Sequence, residues 1–156
     1  MRTLEDVVAG APLLAGLSRS HLGLIAGCGR NQRVDGGIYL LREGEPADRF
    51  FLIREGAVAL EIHSPGRGAI IIETLHPGEM VGWSWLFAPY RWQLDGRTVE
   101  PTALVAFDGA CLRGKCEADH ELGYQLMSRF AANLVQRLQA TRLQLLDVYG
   151  NDRALR

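Results

Sequence analysis

The segment HPGEMVGWSWLF, His76 to Phe87, holds the residues whose types and spacing best suit binding chemistry. A His-Pro-Gly turn leads to Gly82, and Trp83, Ser84 and Trp85 follow, so a glycine-opened loop brings backbone N–H groups, a hydroxyl and two indoles together. Loops of this shape cradle small ligands, anions above all, because the unpaired N–H groups that open a short helix attract negative charge. Arg91 and Arg97 stand close in sequence as cations for such a seat, with Gln93 between them. Tyr90 and Trp92 enlarge the aromatic cluster, which either fills the space under the loop as core or lines it for a flatter, less anionic ligand.

The other reactive side chains are sparser. Cys111 and Cys116 with His120 have a spacing seen in some metal sites, but one pair of thiols plus the distant Cys28 falls short of a complete ligand set. Cys116 beside Lys115 also fits a redox-sensitive thiol. Three cysteines without a secretory signal point to a reducing cytoplasm rather than a disulfide framework. His21, His63, His76 and His120 are scattered, and neither a nucleophile paired with a base nor a Walker-type phosphate loop is present, so no enzymatic activity and no metal are expected.

The elements that must position these residues follow from composition and periodicity. The chain of 156 residues suits one domain, and 17 basic against 18 acidic residues supply no electrostatic footprint for DNA or an anionic membrane. From Thr3 to Cys28 apolar residues at mixed three and four spacing, broken by Pro12 and Gly16, predict two or three short helices, one of them capped by Ser18. Between Gln32 and Phe107 the runs IYLLREG, FFLIREG, AVALEIH, AIIIETL, RTVEP and ALVAF, separated by Gly, Pro and Asp turns, predict a sandwich or barrel. In AVALEIH, Val58, Leu60 and Ile62 make a dry face, with Ala59, Glu61 and His63 opposite. From about Glu117 to Tyr149 the helical period returns. Met127, Ala131, Leu134, Leu138, Thr141, Leu145 and Val148 form a seam of coiled-coil character, which predicts a helix pair across a homodimer. Gly150-Asn151-Asp152 reads as the end of that helix, with no second domain and no helix-turn-helix after it.

Taken with GEPADRFFLIREGAVALEI, the Pro-Gly-Glu-x-Val-Gly of HPGEMVG and RLQATRLQLLDVY, this order of elements resembles the cyclic-nucleotide-binding domain of the catabolite-activator/fumarate-nitrate regulator superfamily over nearly the whole chain. The resemblance implies an α+β fold: a double-stranded, jelly-roll-like β-roll at about 32–107, short N-terminal helices, and C-terminal helices at about 109–149, the long one for dimerisation. In that family the loop after the glycine runs Gly-Glu-Leu-Ala/Ser into a short helix whose N–H groups hold the cyclic phosphate. The Glu binds the ribose hydroxyl, and an Arg a dozen or so residues on neutralises the phosphate. Here Gly82 is kept, Trp83 stands for the Glu, and the Arg position falls on Gln93 counting forward or on Trp92 counting back from Phe107. Arg137 and Thr141 stand where the family presents an Arg and a base-contacting Thr, whereas Arg142 replaces a frequent Ser.

A charge-assisted contact to a buried anion contributes about 1.5–3 kcal/mol, so loss of both polar partners weakens binding by roughly two to four decades. The expectation is a stand-alone regulatory or sensor module, cytoplasmic and homodimeric. It would bind cyclic AMP weakly or not at all in the usual pose, and Gly82, Trp83, Ser84, Trp85, Arg91, Gln93, Arg97, Arg137 and Thr141 are its candidate ligand residues. The rival is an interaction or assembly module of a larger complex, a redox enzyme among the options, whose tryptophans fill the pocket.

Overall fold

The computed structural model describes residues 2–154, with side chains described through residue 150. Two short helices, α1 (Leu4–Ala9) and α2 (Arg19–Ala26), flank a 3₁₀ turn at Pro12–Leu14. Thr3 and Asp6 exchange side-chain-to-backbone bonds in a capping box on α1, and Ser18 Oγ accepts from His21 N at 3.1 Å to open α2.

Eight strands follow: β1 (Gly29–Val34), β2 (Tyr39–Leu41), β3 (Arg49–Glu55), β4 (Val58–Ser64), β5 (Gly68–Leu75), β6 (Met80–Val81), β7 (Asp95–Thr98) and β8 (Thr102–Asp108). They form two antiparallel four-stranded sheets, ordered β1-β8-β3-β6 and β2-β7-β4-β5. This is the double-sheet roll expected from the run of short apolar segments, but β1 begins before Gln32. Its sequence, GRNQRV, is polar because an edge strand with little buried surface needs few apolar residues. The central strands are different. Phe50 to Ile53 are all buried, as expected where one face meets the second sheet and the other lies under helices.

The alternation assigned to β4 holds only in part. Val58 and Leu60 are buried, but beyond a register shift at Leu60/Glu61 the side chain of Ile62 is 45 % exposed. Glu61, expected on the wet face, is buried instead. Arg97 on the neighbouring strand covers it, with Nε and Nη2 donating to Oε1 at 2.7 and 2.6 Å.

The C-terminal helical region is broken where the periodicity ran continuously. α3 (Gly109–Ala118) ends at an extended Asp119, whose Oδ1 accepts from Leu122 N at 3.2 Å and so opens α4 (His120–Ala154). α4 runs on past Gly150, contrary to the expected stop. One glycine lowers helix propensity without removing a backbone hydrogen bond. Among the described residues, α4 is rooted in the core only in its first turns, through Leu122, Leu126 and Phe130. No helix among the described residues is long and apolar enough to cross a membrane.

A disulfide between Cys28 and Cys111 corrects the expectation of free thiols. The two cysteines are 83 residues apart, and the sheet brings them together. Gly29 pairs with Phe107 at the β1–β8 end, and Asp108 N donates to Cys28 O at 2.9 Å, so the residues next to each strand end face one another.

Candidate ligand-binding site

The loop after β6 starts at Gly82, which takes φ +97°, a left-handed conformation that glycine adopts without strain. A Cβ there would also lie 2.7 Å from the Trp92 ring, so the glycine serves a close approach as well as a turn. Residues 83–90 then form successive turns, with Leu86 N donating to Trp83 O and Tyr90 N to Phe87 O, instead of the expected short helix. Ser84 consequently has no helix to cap, and the loop lacks the aligned N–H groups that a helix start would offer an anion.

Aromatic rings take up the space beneath. Trp85 is fully buried, stacked on Phe50 with centroids 4.3 Å apart and edge-on to Phe130 at 5.8 Å. Phe50 stacks in turn on Phe107 at 4.7 Å. Trp83 meets Phe130 edge-on at 4.6 Å, which joins the loop to the root of α4. Trp92 is 5 % exposed and lies across Gly82, at the position reached by counting back from Phe107. The cavity that is left is about 160 Å³, lined by Leu41, Leu60, Gly82, Trp83, Ser84, Trp92, Gln93, Leu94 and Arg137. Cavities that enclose small organic ligands usually measure about 300–1,000 Å³.

Of the residues expected to bind ligand, Gly82, Trp83, Ser84, Gln93 and Arg137 therefore meet in one cavity, and four others do not. Trp85 belongs to the core below. Arg91 is exposed and tied to the β2–β3 connection, where its Nη1 donates to Gly44 O at 2.8 Å. Arg97 is engaged with buried Glu61; this hydrogen bond first, and the carboxylate charge second, hold its guanidinium above the ordinary pKa. Thr141 is exposed one turn past Arg137, where its Oγ1 donates to Arg137 O at 2.9 Å.

Arg137 is the one candidate cation that reaches the cavity, and Glu73 of β5 binds it at 2.5 Å. The ion pair fixes α4 against the second sheet and offsets the charge that an anion would need. Sequence reading placed Trp92 in the aromatic cluster around the seat, but it missed Glu73, which is 64 residues from its partner, and did not count Leu41, Leu60 and Leu94 as lining residues. For Trp92 a signal existed in the back-count from Phe107; for Glu73 there was none.

The comparisons agree with this geometry. Residues 31–119 match the family model described as Cyclic nucleotide-binding domain. The chain belongs to the cyclic nucleotide-binding domain family. Among solved structures, a candidate cyclic nucleotide-binding protein of Geobacter metallireducens GS-15 is 29% identical, with a TM-score of 0.77 over 88% of this chain and 99% of that one. The N-terminal domain of a transcriptional regulator from Streptomyces coelicolor A3(2) is 25% identical, with a TM-score of 0.70 over 87% of this chain and 95% of that one. The catabolite activator protein of Thermus thermophilus, 23% identical over 86% of this chain and 61% of that one, shares the fold with a TM-score of 0.70. A search of curated protein sequences finds no match to the chain.

Proposed function

We propose that this chain is a regulatory module of the cyclic nucleotide-binding family in which tryptophans occupy the ligand seat, so that it binds cyclic AMP weakly or not at all in the family's usual pose. The observation that carries this reading is the Trp92 ring lying across Gly82, where the family places its phosphate and arginine, with only about 160 Å³ left beside it. Two further features support it: the loop forms turns instead of a helix start, and Arg137 is already paired with Glu73. The module is a cytoplasmic domain that regulates through its contacts and does not catalyse.

The same reading makes the protein a homodimer through α4. Met127, Leu134, Leu138, Leu145 and Val148 of the expected seam are between 37 % and 59 % exposed in the single chain, an apolar stripe that a second copy would cover. The rival reading, an assembly module docking on a different protein, draws on Ile62, Ile70, Ile71 and Ile72 of the β4–β5 hairpin, which stand 40–55 % exposed.

Calorimetric titration of the purified protein with cyclic AMP and cyclic GMP tests the proposal. The expected result is no saturable heat at micromolar ligand. Saturable micromolar binding would overturn it, because Trp92 would then have to swing out and leave Arg137 to the phosphate.

A further inference from the structure

The bond between Cys28 and Cys111 lies at an open cleft. Cys28 follows α2 and is 8 % exposed; Cys111 is in the first turn of α3 and is half-buried. The cleft is about 540 Å³, a size that admits a small molecule, and Arg30, Arg49, Asp48 and Asp108 line it with the two cysteines. It shares no lining residue with the Gly82 cavity. Asp48 lies 3.6 Å from Arg49 Nε, and Asp108 Oδ1 accepts from Cys111 N at 2.9 Å, which leaves Arg30 as the cation without a carboxylate among these neighbours.

We propose that Cys28–Cys111 is a thiol–disulfide exchange site, open to a small anionic thiol, and that its redox state sets how firmly α3 is held to α2. Exchange begins with an incoming thiolate attacking the sulfur of the more exposed cysteine, Cys111 Sγ, in line with the S–S bond. A new S–S bond forms to the incoming sulfur, and the electron pair of the broken bond leaves on Cys28 Sγ. Lys115 Nζ stands over the adjacent Gly27 while donating to Leu24 O at 2.7 Å, which puts a cation near the departing thiolate.

A second thiolate then attacks the incoming sulfur of the mixed disulfide and releases Cys111 as a thiolate at the start of α3, where the helix dipole favours negative charge. The two small thiols are oxidised to their disulfide by two electrons, the protein disulfide is reduced to two thiols, and the two protons pass from the small thiols to the cysteines. Cys116 stays apart from this chemistry. Burial, with Asp119 and Glu117 adding to it, pushes its thiol pKa up and keeps it protonated.

Reduction loosens the α2–α3 contact without abolishing it. Lys115 still bonds Leu24 O, and His21 Nε2 still lies 3.4 Å from Asp119 Oδ2 at the α3–α4 joint. The covalent tie therefore acts beside these two contacts and beside the bond from Asp108 N to Cys28 O, all joining α2 and its exit to the segment that leads into α4. This redox response does not depend on whether the Gly82 cavity is closed.

The test uses the full chain, equilibrated first with oxidised and then with reduced glutathione, denatured, alkylated and weighed. The expected masses show one alkylated thiol, Cys116, in the oxidised state and three in the reduced state. Three alkylated thiols in both states would overturn the proposal.

Amide hydrogen exchange on the native protein is expected to rise at least several-fold over residues 19–26 and 109–118 on reduction, while the Cys28→Ser/Cys111→Ser double variant gives the same exchange with and without reductant. Equal exchange in the two wild-type states would show a bond with no grip on α3, and would overturn the regulatory half. For the direction of attack, reduced glutathione is added to the oxidised wild-type chain, the mixture is quenched early with acid, and peptide mass mapping is expected to find the mixed disulfide on Cys111 at least tenfold more often than on Cys28; equal or reversed occupancy overturns it. The wild-type measurements stand if the double serine variant fails to fold.

Discussion

Beneath the Gly82 loop Trp85, Phe50 and Trp92 are 0, 1 and 5 % exposed, whereas on α4 beyond Phe130 the side chains of Leu138, Leu145 and Leu146 are 51, 52 and 66 % exposed. Both regions spend large apolar side chains where the family resemblance implies function, one on a ligand seat and the other on a dimer helix. In the first the chain covers its own surface, and in the second it leaves the covering to another molecule. A pocket that fills itself needs no ligand to be stable, but a helix with a bare apolar stripe has a reason to associate. On the proposed reading, control passes through contacts of α4 more than through occupancy of the roll.

The contrast can be broken most directly at Trp85. If the rings under the loop are true core, Trp85→Ala lowers unfolding free energy by about 3–5 kcal/mol in urea melts, because a stacked, fully buried indole leaves a cavity that the sheet cannot close. A loss below about 1 kcal/mol would mean that the space tolerates being empty, as a ligand pocket does.

Gly82→Ala is expected to cost about 2–4 kcal/mol, from left-handed backbone and from a Cβ pressed into Trp92. In a Trp92→Leu background the same change costs less, since the backbone strain remains and the clash does not. Equal costs in both backgrounds would remove Trp92 from the seat.

The other side of the comparison is sharpened by Leu134→Glu with Leu138→Glu. Each is expected to weaken self-association by about tenfold or more, or roughly 1.4 kcal/mol, as followed by sedimentation equilibrium in the ultracentrifuge. An unchanged association constant would assign the stripe to a foreign partner.

The smallest effect lies outside both regions, in the cap of α1. Hydrogen bonds from Thr3, its backbone N–H first and its hydroxyl second, lower the pKa of Asp6 from 3.8. A depressed carboxyl pKa contributes stability that is present above the unfolded value and lost as pH falls through the folded one. Amide exchange in α1 is therefore expected to rise as pH drops below 3.8, and Asp6→Asn, which takes away the titrating carboxyl, removes that dependence.

Much of the architecture was legible because its signals are local. Turn residues mark the strands, Ser18 marks α2, and the three and four spacing marks α4. What was not legible depends on residues brought together from far apart. The seat of Trp92 over Gly82 is set by how a loop of turns folds back, and counting along the chain left two registers open. Glu61 is buried because Arg97 comes from another strand, and β1 carries too few apolar residues to announce itself. Cysteine arithmetic failed for the same reason, since it weighs number and spacing but not the pairing of β1 with β8 that sets Cys28 against Cys111.

The division of α4 at Phe130 also has a mechanical consequence. Leu122, Leu126 and Phe130 clamp its first turns, and Arg129 Nη1 donates to Leu13 O at 3.2 Å and Ala15 O at 2.5 Å, fastening the same stretch to the N-terminal segment. Two turns further on Arg137, paired with Glu73, ties the helix to the second sheet, and from there to residue 150 it is an arm about 20 Å long, at about 1.5 Å per residue. A tilt of about 10° at that tie would carry its tip about 3.5 Å, so a small change in how the root of α4 packs on Trp83 would reach the far end enlarged.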